Sequence, residues 1–193
     1  STLDVNSRTA TTSGNISLRS LNARVVLTTG NLTVAGLTFY SGATIDTGTS
    51  GTLTVTGGIS TSNYDSGTIT IGGSGTLNHD GDFSCSVPNG PSDIDLRVDA
   101  RITGDGATAS GVLSFQSDGT ALLTNPNNDF NLRVDGSSKL LLGTAGAQGT
   151  GEIEMASGYL GAVTGTNITV NNNIKLTGYS GYSVGFTGDG DLT

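Results

Sequence analysis

Lysine and glutamate occur only twice each among the 193 residues, tryptophan never, and alanine 12 times. The strong helix formers are thus nearly missing, which excludes a helical bundle and a doubly wound α/β domain. Cys85 is the one cysteine, so no internal disulfide can form. Secreted domains with small cores usually need disulfides, whereas a stack of repeats does not, because each layer covers the next. Eight basic residues stand against 16 acidic ones, for a net charge of −8. Without a basic stripe, nucleic acid is excluded as a partner. No apolar run approaches the roughly 18–20 residues that span a bilayer, so no membrane insertion of this segment is expected. A signal-peptide pattern and an initiator Met are also missing from the opening Ser1-Thr-Leu-Asp-Val-Asn-Ser7. We therefore expect a slice of a larger protein.

What is present is Gly, Thr, Ser, Asn and Asp, 112 residues and 58% of the chain. Leu, Ile, Val and Phe add 46 more, and only 12% of residues are charged. That apolar share lies above the level at which disorder is the default, so the composition predicts a folded all-β protein. Sparse charge, scarce lysine and abundant Thr and Asn point to the extracellular face of a bacterial surface.

Short bursts of apolar/polar alternation recur along the chain, as in Asn31-Leu-Thr-Val-Ala35, Gly51-Thr-Leu-Thr-Val-Thr56, Gly67-Thr-Ile-Thr-Ile71, Gly111-Val-Leu-Ser-Phe115 and Asn167-Ile-Thr-Val170. Each has the length of a strand with one buried face. Turn residues close them, among them Gly57-Gly58, Ser66-Gly67, Gly72-Gly73, Asp118-Gly119 and Asn125-Pro126. Two echoes suggest a repeat. Asn89–Asp99 aligns with Asn125–Asp135 at an offset of 36, both ending Leu-Arg-Val-Asp, and Gly111–Gly119 resembles Gly151–Gly158 at an offset near 40. Strands this short bury a core only when stacked. The spacing predicts a parallel β-solenoid over 1–193, one segment of about ten coils of ~18–20 residues and roughly 50 Å long. An antiparallel sandwich would prefer two-residue hairpin turns, and the turns here are longer and irregular.

The stretches Val98-Asp-Ala-Arg-Ile-Thr-Gly-Asp-Gly106, Gly119-Thr-Ala-Leu-Leu-Thr-Asn-Pro-Asn-Asn-Asp-Phe130 and Lys139-Leu-Leu-Leu-Gly143 resemble the autotransporter-associated β-strand repeat. Leu37–Ile45, Gly51–Ile59 and Asn173–Gly178 follow the same grammar. The resemblance covers about two-thirds of the chain. It implies a right-handed parallel β-helix in a surface-displayed bacterial passenger, adhesive or scaffolding in role. The aromatic-Thr-Gly-Gly-Thr element that usually follows the Asn-rich turn is missing after Phe130, and the family transfers no catalytic residues.

Candidate chemistry is sparse. Alternation over Asp93–Ile102 predicts Asp93, Asp95, Arg97, Asp99 and Arg101 on one strand face. A polysaccharide lyase would use such acidic calcium ligands beside a base. The echo at Arg133 and Asp135 favours instead an exposed charge ladder. His79-Asp80-Gly81-Asp82 reads as a turn, without the G-x-S-x-G elbow of a serine hydrolase. Cys85, alternating with Phe83 and Val87, reads as a buried hydrophobe. Gly104-Asp105-Gly106 and Gly188-Asp-Gly-Asp191 read as turns rather than calcium loops, since Gly72-Gly73-Ser74-Gly75 has Leu77 where the calcium-binding nonapeptide needs Asp. Thr52–Thr56 and Thr68–Thr70, 16 residues apart, would stack as an ice-binding hydroxyl array, but one that stops after two coils. The sequons at Asn15, Asn31 and Asn167 fall on strand-like segments.

These readings predict no catalytic, cofactor or metal residues. The expected function is a non-enzymatic structural or adhesive rod that associates with itself or with another surface protein or glycan. A viral or phage fibre, a polysaccharide-active enzyme and an ice-binding protein are the alternatives.

Overall fold

The computed structural model describes residues 1–40, 42–62, 67–79, 82–86, 94–104, 112–116, 119–136, 139–178, 183–188 and 190–193, with the backbone alone at 62, 82–86 and 112–116. These residues form no helix and 24 strands. In chain order they are β1 (Thr2–Asp4), β2 (Thr9–Thr11), β3 (Asn15–Leu18), β4 (Arg24–Val26), β5 (Asn31–Val34), β6 (Gly36–Tyr40), β7 (Thr44–Asp46) and β8 (Thr52–Val55). Then come β9 (Ile59–Ser62), β10 (Ile69–Gly72), β11 (Thr76–His79), β12 (Asp82–Ser86), β13 (Leu96–Val98), β14 (Arg101–Thr103), β15 (Val112–Gln116) and β16 (Thr120–Leu123). The chain closes with β17 (Asn131–Val134), β18 (Lys139–Leu142), β19 (Ile153–Met155), β20 (Gly158–Ala162), β21 (Asn167–Ile168), β22 (Ile174–Leu176), β23 (Val184–Gly188) and β24 (Asp191–Leu192).

Successive strands do not pair with each other. Each pairs in parallel with the strand one coil away, so the chain winds as a β-solenoid. Sheet A holds nine strands in the order β1-β4-β7-β10-β13-β16-β18-β20-β23. Sheet B holds five, β2 to β14, and sheet C eight, β3 to β22. A two-strand sheet joins β21 and β24. The stack has fewer coils than the ten expected, because a coil takes between 19 residues (Ala121 to Leu140) and 32 (Phe83 to Phe115) rather than 18–20. Corners of unequal length account for the spread. Nine rungs at ~4.8 Å make sheet A about 40 Å long.

In-register stacking turns each inward position into a column. On sheet A, Ile45, Ile71, Val98, Leu123 and Leu142 lie one above another, and all are fully buried. On sheet B, Leu32, Leu53, Leu77 and Ile102 do the same. Like meets like at each level, so a strand of three or four residues shares a core that runs the length of the rod.

The corner before sheet B shows why glycine is needed. Gly30, Gly51 and Gly75 precede β5, β8 and β11 and are buried on one another. A Cβ on Gly51 would sit 2.9 Å from the Gly30 carbonyl oxygen and 2.5 Å from that of Thr47. This close approach lets the ladder run through the corner. The Thr52 N–H donates to Gly30 O at 3.0 Å, and the Thr76 N–H to Gly51 O at 2.8 Å.

The two sequence echoes separate here. Leu113, Leu132 and Ile153 stack on sheet C, so the offset of 40 spans two coils. The offset of 36 does not. Leu96-Arg97-Val98 is β13 of sheet A, whereas Leu132-Arg133-Val134 is β17 of sheet C. The same tetrapeptide serves two faces because both need only an apolar residue at every second position.

Candidate functional site

The predicted five-residue charged face does not form. The chain turns at Asp99-Ala100, sending β13 to sheet A and β14 to sheet B, so Arg97 and Arg101 project from different sheets. Asp95 is buried, and its carboxylate accepts the Thr120 N–H at 2.7 Å. Arg97 donates to Asp99 at 2.8 Å, and Arg101 Nε donates to the Asn127 carbonyl at 2.9 Å. Asp93 lies outside the described residues. Elsewhere charges do pair between coils. Arg24 meets Asp46 at 2.7 Å, and Arg133, which pairs with Asp135 at 2.9 Å, also lies 3.8 Å from Glu154 of the next rung. The corner hydrogen bond from the Gly48 N–H, together with Arg24, holds the Asp46 carboxyl below its ordinary pKa. Burial pushes Asp135 up, but the Gly136 N–H, the Ser157 hydroxyl and Arg133 together hold it below its ordinary value.

His79 is the last residue of β11 rather than part of a turn. It is buried, with Nδ1 3.2 Å from the Val55 carbonyl oxygen. A carbonyl can only accept, so Nδ1 carries the proton. Asp80 and Gly81 lie outside the described residues, as do Asp105, Gly106, Asp118, Asp189 and the side chain of Cys85. Among the described residues no three of His, Cys, Asp and Glu converge as metal ligands.

Sheet B carries a regular outer surface. Rung by rung, the outward pairs are Thr9 and Thr11 on β2, then Asn31 and Thr33 on β5. Thr52 and Thr54 follow on β8, Thr76 and Asn78 on β11, and Arg101 and Thr103 on β14. The array expected from Thr52–Thr56 with Thr68–Thr70 does not exist, because the second segment belongs to sheet A. The partners of Thr52 are Asn31 and Thr76, so the rows run over five rungs rather than two. The readable signal was the tetrapeptide at Gly30-Asn-Leu-Thr, Gly51-Thr-Leu-Thr and Gly75-Thr-Leu-Asn. Gly67-Thr-Ile-Thr on sheet A imitates it.

The two ends of the stack form the other distinctive surfaces. Leu3 is 47% exposed, although the next residue in its column, Val25, is fully buried. At the far end Ile174, Leu176 and Phe186 are 40%, 68% and 63% exposed. They continue the buried columns of Ile153, Met155 and Leu160. Each end also holds an open cleft. One of about 370 Å³ lies between Leu3, Leu18 and Ala23, and one of about 380 Å³ lies between Val170, Ile174, Phe186 and Leu192.

No protein-family model, curated protein or solved structure matches the chain. The β-helix architecture foreseen from the repeat grammar thus stands on the geometry of the stack itself.

Proposed function

We propose that this chain is a non-enzymatic structural or adhesive rod of the bacterial cell surface, of the autotransporter-passenger kind, that extends by stacking its ends on further solenoid coils. A second copy of the same segment can supply such coils. The observation that carries this reading is the pair of bare ends, where inward positions that are buried on the adjacent rung face solvent. Both terminal rungs also present unpaired strand edges, which parallel strands of another copy can extend. A parallel stack continues only when the β1 end of one copy meets the β23 end of another. The sequence charge is compatible with that polarity, since residues 1–26 hold Arg8, Arg19 and Arg24 against Asp4, and residues 167–193 hold Asp189 and Asp191 against Lys175. The surface location rests on the sparse charge and the Thr- and Asn-rich outer faces.

Sedimentation velocity across a wide concentration range tests it. The expected result is a series of lengthening rods that shortens in high salt, and the double variant Leu176→Asp with Phe186→Asp should remain monomeric. A wild-type monomer at every concentration overturns the reading, as does a closed trimer, which belongs to a fibre.

A further inference from the structure

We infer that the outer surface of sheet B is an ice-binding face. Its three central rungs, Asn31/Thr33, Thr52/Thr54 and Thr76/Asn78, stand in strict register over the fully buried ladder of Leu53 and Leu77. Parallel pairing fixes the rows ~4.8 Å apart, and residues i and i+2 of one strand are ~6.7 Å apart. The result is a two-dimensional lattice of side chains, none larger than Asn, in which the Asn78 amide oxygen is itself buried. β-Branching restricts χ1, so each Thr holds its methyl and hydroxyl in place before anything binds.

The hydroxyls on this face are available. Those of Thr33, Thr52, Thr54 and Thr76 have no protein hydrogen-bond partner among the described residues. Other threonines commit theirs: Thr47 donates to Gly72 O at 2.8 Å, and on sheet C Thr38 and Ser60 bond each other at 3.3 Å.

The chemistry of the face selects its ligand. The central rungs carry no charge, which disfavours an ionic partner. They hold no aromatic or Arg anchor of the kind that dominates protein interfaces. Missing aromatics also leave nothing for a sugar ring to stack on. A surface that repeats in two dimensions and presents methyls beside hydroxyls fits a ligand with a matching repeat, the oxygen lattice of ice. Arg101 closes the array at one end. The array lies on the side of the rod, so it does not depend on end-to-end assembly.

The test uses the whole chain, fluorescently labelled, and a single ice crystal grown slowly in its solution. Wild type should be incorporated on defined crystal planes and should halt ice recrystallisation. Thr54→Tyr, which lifts a ring out of the central rung, should be excluded from the crystal. Thr44→Tyr, outward on sheet A, should behave as wild type, and far-UV circular dichroism checks that both variants fold. Exclusion of the wild type from ice overturns the inference, whatever the variants do. So does equal incorporation of both variants, or binding to crystalline cellulose or chitin without any effect on ice. Failure here with rods still forming in the centrifuge would leave the structural role intact.

Discussion

Up to Thr103 each coil is built from three strands, one per sheet; from Thr120 to Ala162 the coils have two strands and a turn. Sheet B ends at β14, and beyond it Thr103 makes a single bridge to Asp129. In the first region the third side is held by backbone ladders over a column of leucines. In the second, side-chain amides take over. Asn128 is buried, accepts the Ile102 N–H at 2.8 Å and donates to the Ala147 carbonyl at 2.9 Å, reaching one coil in each direction. Asn172 donates to the carbonyls of Gly149 and Gly151 at 3.1 and 2.6 Å, and Gln148 reaches Asn172 at 3.2 Å. An amide both donates and accepts, so it can replace a peptide group in the ladder where the backbone turns away. The same stack is thus closed in two ways, by apolar burial behind regular strands and by asparagine stitching across tight turns. Only the first carries a continuous ladder of strands on the third side.

Weakening each closure separately tells the two regions apart. Leu53→Ala removes the middle of the leucine column and should cost about 2–5 kcal/mol, the usual loss for a buried leucine. Urea unfolding gives the total, and amide exchange gives its location. Contacts reach only neighbouring coils, so protection should fall in β5, β8 and β11 and hold in β18 and β20. A uniform fall would mean that the rod unfolds as one unit and that the two regions are not energetically distinct.

Asn128→Ala is the matching cut in the second region. It orphans a buried N–H and a buried carbonyl, each worth about 1–3 kcal/mol when the group stays dry. The loss should fall below that of Leu53→Ala, because the exposed Asn127 and Asp129 flank the turn and water can reach it. Asn128→Asp keeps the acceptor for Ile102 but sets a buried carboxylate oxygen against the Ala147 carbonyl, so at neutral pH it should cost at least as much as Asn128→Ala. If Asn128→Ala instead costs nothing in urea, the stitching is decoration and the second region stands on sheets A and C alone.

The first region was the more legible of the two in the sequence. Alternation at Asn31–Ala35 and Gly51–Thr56 marks β5 and β8, because a half-buried strand must alternate whatever it pairs with. Register was not legible. It depends on corner length, and corners accept insertions at little cost as long as the next strand lands in place. Gly51-Thr-Leu-Thr and Gly67-Thr-Ile-Thr look like successive rungs, yet they lie on adjacent sheets of the same coil. The outer array therefore could not be seen until the true neighbours of Thr52 were known. The stitching residues were hidden for a different reason. Asn125–Asp129 reads as an ordinary polar turn, and nothing local reveals that Asn128 points inward.

The smallest predicted effect compares the same chemistry across the two regions. Asp46 and Asp135 each belong to a partly exposed ion pair, and such pairs are worth at most about 1 kcal/mol. Both carboxyls have folded pKa values below the ordinary one near 3.8. A depressed carboxyl pKa means that the unfolded chain takes up the proton first as pH falls. Each group therefore stabilises fully above the unfolded value, and its contribution disappears as pH falls through the folded value. Asp46→Asn and Asp135→Asn should each lower stability slightly at pH 6 and become indistinguishable from wild type in stronger acid. The causes differ, and that is where the regions part. Asp46 gains from the Gly48 N–H and from Arg24, whose side chain is 51% exposed, while the Arg133 partner of Asp135 is only 28% exposed. Added salt screens exposed charges more than enclosed ones. At pH 6, raising salt should therefore shrink the Asp46→Asn penalty more than the Asp135→Asn penalty. Equal salt dependence would mean that charge contributes little to either site and that the backbone N–H groups of Gly48 and Gly136 do most of the holding.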